Sequence, residues 1–178
     1  MSKVGRVLVL LFVLFALVAC DQGTKSIAQN HLSTTEPIIL LNGMVRLQLM
    51  ENPGAFLSLF ANLPPHVRML LLTVMNGLIL GGVAVVLLFR SGWDKWSFTA
   101  LGLLLAVGVG NLIDLVWLGG VVIDFMVIDL GRLTGIGWLK TGIFNVADIA
   151  ITAGFLMLLP YLVRKEPQEP EPTAEAAA

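Results

Sequence analysis

Charge is scarce in this chain. Lys, Arg, Asp and Glu make up 13% of its 178 residues, against 57% hydrophobic ones. With a mean hydropathy of +0.88, that balance excludes an ordinary soluble domain and describes a membrane protein. Positive charge is not in excess either. The net charge is −1, so no basic surface points to nucleic acid. One cysteine, Cys20, leaves no disulfide framework and no cysteine-based metal site. The two histidines, His31 and His66, match no ligand spacing, so no metal is expected.

What the chain does have is long apolar runs. About 20 apolar residues cross a bilayer as a helix, and four stretches qualify: about 4–20, 67–89, 96–118 and 142–163. The expectation is an all-α membrane protein with four transmembrane helices in one domain over 1–164. Gly102, Gly108 and Gly110 would let the third helix approach its neighbours closely. Residues 165–178, rich in Pro, Glu and Ala, cannot bury a core and read as a disordered cytoplasmic tail.

Lys3, Arg6, Arg90, Lys95, Arg164 and Lys165 fall on one side of the helices, and Lys25, Arg46, Arg68, Arg132 and Lys140 on the other. The first set lies tightly against helix ends, which places both termini in the cytoplasm. Trp93, Trp96, Trp117 and Trp138 fall near the interfaces, as an aromatic belt does.

The first outer loop carries Asn42-Gly43, a signal for a two-residue hairpin turn. After it Val45, Leu47 and Leu49 alternate with Arg46 and Gln48, the period of a half-buried strand. A small sheet at the membrane surface, over about 37–60, fits this pattern. Taken alone, the pattern favours an outer cap over a peptide-binding platform. The N-terminus, with Leu17-Val18-Ala19-Cys20, resembles a lipoprotein signal ending in a lipidated Cys. The Asp21…Lys25 pair that follows favours a retained first helix instead.

Asp124 and Asp148 lie inside apolar runs (VVIDFMVIDL and GIFNVADIAIT). An Asp at membrane depth costs roughly 2.5–3.5 kcal/mol on insertion scales, so a function is expected of it. Asp21 and Lys25, spaced i,i+4, can pair on one helix face. Asn111 with Asp114, and Asn145 with Asp148, are spaced i,i+3, so each Asn can lie beside its Asp or reach a common neighbour. Two Asp residues held close share a proton and can activate water, the chemistry of aspartic peptidases. The position of Asp148 inside an apolar helix start argues against a mere cap. Asp129, near Arg132, reads as structural or solvated. The main rival is a proton relay or small transporter. A Ser/Lys peptidase built from Ser26 or Ser58 with Lys25 or Lys140 has no spacing to support it.

The set Asp21…Lys25, Asn52-Pro53-Gly54-Ala55-Phe56, Gly110-Asn111-Leu112-Ile113-Asp114, Val122-Ile123-Asp124-Phe125 and Phe144-Asn145-Val146-Ala147-Asp148 resembles lipoprotein signal peptidase (signal peptidase II). FNxAD and GNxxD together carry the likeness. It implies a four-helix membrane bundle with a small periplasmic β-cradle in the first outer loop. It also implies an aspartic endopeptidase of the bacterial inner membrane that cuts diacylglyceryl-modified prolipoproteins before the lipidated Cys. Asp124 and Asp148 would be the catalytic pair, at the periplasmic face. Asn52, Gly54, Asn111 and Asn145 would line and support the site, with Asp21, Lys25 and Asp114 beside them. The resemblance implies no cofactor, and a monomer in contact with membrane lipid is expected.

Two departures stand out. The family usually has Arg directly after the Asp of GNxxD, where this chain has Leu115. Arg46 or Lys140 is expected to compensate. One extra residue precedes Asp124 at Val121-Val122-Ile123. Both leave open a weak or inactive paralogue.

Overall fold

The computed structural model describes residues 3–53 and 63–163. In chain order its elements are α1 (Lys3–His31), β1 (Ile38–Leu40), β2 (Val45–Asn52), α2 (Pro65–Phe89), α3 (Lys95–Trp117), β3 (Val122–Ile128), α4 (Gly131–Thr134) and α5 (Val146–Val163). Residues 54–60 of the expected sheet region, Gly54 among them, and the tail 165–178 lie outside the described residues.

The bundle is greasy outside and polar inside at one end. Phe12, Phe15, Leu78 and Phe89 are more than 70% exposed, whereas Asp21, Lys25, Asp114, Asp124 and Asn145 are each 3% exposed or less. Lipid-facing helices require this inversion, because hydrocarbon solvates Phe and Leu but not carboxylates. By length and composition α1, α2 and α3 can cross a membrane, while the apolar part of α5 is the shorter Val146–Pro160. The stretch expected to open the last span, 142–145, is not helical. Its backbone instead joins β3, where the Phe144 and Met126 N–H groups each donate to the other's carbonyl at 2.9 Å.

At the other end of the chain, α1 outruns its apolar segment. It continues unbroken through Cys20 to His31 because Asp21 and Lys25 turn into the bundle and are buried there. At 1.5 Å per residue its 29 residues measure about 43 Å, longer than the roughly 30 Å hydrocarbon core. The excess reaches the sheet, and Ala28 packs with Ile123 and Phe125.

α3 sits against α1, α2 and α5. Two glycines permit this. A Cβ on Gly108 would run into Leu80 of α2, and one on Gly110 would lie 2.5 Å from the Asp21 carboxylate of α1. Close backbone approach of this kind holds helices together in lipid.

The sheet is antiparallel in the order β1-β2-β3, and two expectations about it need correction. The hairpin loop is four residues long, since Leu40 pairs with Val45. Leu41, Asn42 and Gly43 take φ of 49°, 54° and 90°, so Asn42-Gly43 forms part of the turn rather than all of it. The sheet is also not confined to the first outer loop, because β3 comes from the segment after α3. Its residues Val122–Phe125 are all buried. A strand buried on both faces shows no alternation, which hid it in the apolar run VVIDFMVI.

Candidate active site

Asp124 lies in the middle of β3 and is buried. Its register partner in β2 is Met50, across a shift between Leu47 and Met50. Three steps along β2 match two along β3, so β2 carries an extra residue there. Such bulges re-aim side chains next to functional sites. The Leu49 N–H turns to the Ser33 carbonyl (3.1 Å), and two residues past Met50 the Asn52 amide donates to Asp124 Oδ2 at 2.9 Å.

Asp148 is held from the other side. α5 starts immediately after Asn145, whose Oδ1 accepts the Asp148 N–H at 3.2 Å while its own N–H donates to Asp148 Oδ2 at 2.9 Å. This is a reciprocal capping box. Its place in an apolar run weakened the cap reading, yet the Asp148 carboxylate does close the helix start. The Asn145 side-chain amide also donates to Asp124 Oδ1 at 2.8 Å and to the Ile123 carbonyl at 3.1 Å. One residue thus ties both carboxylates together. Burial pushes the Asp124 carboxyl up to about 6, against the Asn52 hydrogen bond that favours ionisation, and the nearby Asp148 charge adds to the rise.

A second polar cluster lies behind β3. Lys25 Nζ reaches Asp21 Oδ2 (2.7 Å), Asp114 Oδ2 (2.8 Å) and Asn111 Oδ1 (2.9 Å). Its three donors are thereby used, which leaves no role for Lys25 as the base of a Ser/Lys pair. Asn111 and Asp114 meet at this common neighbour. Asp114 also accepts the Gln22 amide at 2.9 Å and the Ile123 N–H at 3.2 Å, so the cluster grips the residue next to Asp124.

Gln22 is a member of the cluster that the sequence did not single out as a site residue. Its signal was a polar side chain between Asp21 and Lys25 on a helix that should have ended. Among the described residues Asp114 is paired with Lys25 and bonded by Gln22, and the role expected of Arg46 or Lys140 falls to these two. Leu115, in the family's Arg position, is buried with Leu72 and Val122. Asp129 lies 4.0 Å from Arg132, with both side chains partly exposed.

The chain matches the family model of signal peptidase (SPase) II over residues 13–164. It belongs to the signal peptidase II family. A lipoprotein signal peptidase of Chlorobium phaeovibrioides is 37% identical over 157 residues, covering 86% of this chain and 89% of the relative. One from Chlorobaculum tepidum is 38% identical over 154 residues, covering 84% and 91%. A solved bacterial membrane enzyme superposes with a TM-score of 0.72 at 22% identity, covering 90% of this chain and 94% of that one. A second gives 0.71 at 22%, covering 89% and 94%. At that identity the structures establish a shared fold. With its long apolar helices, this signal peptidase II family member is a multi-pass membrane protein, and the resemblance carried by GNxxD and FNxAD holds.

Proposed function

We propose that this chain is an aspartic endopeptidase that removes signal peptides from diacylglyceryl-modified prolipoproteins, cutting before the lipidated Cys. Family membership and relatives named lipoprotein signal peptidase support the substrate. The aspartic mechanism rests on one observation: Asn145 bonds Asp124 through its side chain and Asp148 through its backbone.

The acid's role falls to buried Asp124, whose environment shifts its carboxyl toward the neutral form. Asp148, half-buried, takes the proton of a water that attacks the scissile carbonyl, and Asp124 donates to the developing oxyanion or leaving amine. Asn52 and Asn145 hold both Asp124 oxygens, which fixes the plane of the acid. Lys25, Asp21, Asn111 and Asp114 act on β3 from behind. Gly54, two residues past β2 in sequence, is carried into the site by the resemblance.

The same reading makes α5 the fourth span of a monomeric domain over 1–164, followed by the tail 165–178. It sits in the bacterial inner membrane with both termini cytoplasmic and the site at the periplasmic face. Asp124→Asn and Asp148→Asn should each abolish cleavage of a diacylated prolipoprotein in reconstituted membranes while the protein still inserts. Full cleavage by either variant overturns the dyad.

A further inference from the structure

The end of the bundle remote from Asp124 has a cavity of its own. The first turns of α1, the last turn of α2 and the first turn of α3 enclose about 320 Å³ there, within the roughly 300–1,000 Å³ range of small-molecule sites. Leu10, Leu87 and Phe98 form its buried floor. Val7 and Phe89 line its outward part and are 38% and 79% exposed, so it opens toward the surroundings of the helices. Its charged lining groups among the described residues are Lys3 and Arg6.

Arg6 is held in place. Its Nη1 donates to the Arg90 carbonyl at 2.8 Å, spanning α1 and the end of α2 with one of a guanidinium's five donors. Beside it the Arg90 guanidinium lies 5.1 Å from the Trp93 ring centroid, within cation–π range. Asp94, the acid nearest in sequence, accepts the Trp96 and Ser97 N–H groups as the cap of α3.

An apolar floor beneath two cations, one of them held in place, suits neither a free anion nor a plain hydrocarbon. A free anion would face Leu and Phe walls, and a hydrocarbon would leave the two cations without a carboxylate partner among the described residues. We propose that this cavity binds one anionic phospholipid, with its phosphate on Lys3 and Arg6 and an acyl chain along Leu10, Leu87 and Phe98. Charge complementarity at the cavity selects the headgroup, and the apolar floor selects a lipid over a soluble phosphate.

The test uses the full chain, purified in detergent and titrated with phosphatidylglycerol, phosphatidylcholine or inorganic phosphate. Binding is read by native mass spectrometry and by the melting temperature. Phosphatidylglycerol should bind and raise the melting temperature, with the other two doing neither. The double variant Lys3→Gln, Arg6→Gln should bind it roughly tenfold more weakly. Val7→Trp, which fills the cavity and keeps both charges, should lose it too. Equal binding of phosphatidylcholine would mean non-selective surrounding lipid and overturn the proposal. So would competition by inorganic phosphate, or undiminished binding by both variants.

Discussion

At Asp124 the fold works against its own stability. The carboxyl moves from 3.8 to about 6 because burial strips water from the charged form. Below pH 3.8 the group is protonated in the folded and unfolded chain alike, and folding has no charge to desolvate. Between 3.8 and about 6 the folded chain keeps a proton that the unfolded chain has released. Stability therefore falls as pH rises through that window and levels off above it. The loss is on the order of 3 kcal/mol. Asp124→Asn should remove this limb, so its melting temperature relative to the unsubstituted protein should rise between pH 4 and 7. Parallel pH profiles would refute the assignment. The i,i+3 spacing of Asn145 and Asp148 was legible in the sequence, but which atoms meet was not. Periodicity gives proximity, whereas the capping box and the amide bond to Asp124 depend on where the helix starts and how β3 lies beside it.

Among the elements, α2 (Pro65–Phe89) and α3 (Lys95–Trp117) lie over the apolar runs 67–89 and 96–118, because a helix surrounded by lipid and other helices keeps an unbroken apolar record. The ends of α1 and α5 were less legible. α1 keeps its helix through polar residues that α3 accommodates, and α5 surrenders its first residues to β3 and the cap. Both shifts are tertiary effects that no single segment encodes. The α1–α3 contact at Gly110 offers a direct check. Gly110→Ala places a methyl 2.5 Å from the Asp21 carboxylate, and parting the helices would disturb the Lys25 cluster. Overpacking of this kind costs about 1–3 kcal/mol, more than the roughly 1 kcal/mol that Ala returns in helix propensity. Gly77→Ala in α2, with nothing within 4 Å, should be neutral or slightly stabilising. Melting curves in detergent would separate the two, and equal melting temperatures would mean that Gly110 is not the tight point of the bundle.

For the molecule as a whole, the architecture sets the polar clusters and the basic cavity at opposite ends of antiparallel helices. Asp21, Lys25, Asn111 and Asp114 occupy the C-terminal halves of α1 and α3, and Lys3, Arg6 and Arg90 lie where α1 begins and α2 ends. In the proposed membrane arrangement the two ends face opposite sides, with Ser91 two residues past the end of α2 and Thr134 in α4, between β3 and α5. Six Lys and Arg residues against five make the charge bias slight in number. Its weight comes from position, since charges close to helix ends orient a chain more strongly than those in a long loop. The chain has one native cysteine, so Cys20→Ser gives a clean background for single cysteines. In that background Thr134→Cys should react with a membrane-impermeant maleimide in spheroplasts, and Ser91→Cys should react after permeabilisation. The reverse pattern would put the Asp124 site in the cytoplasm, where a peptidase could not meet a signal peptide that has already crossed.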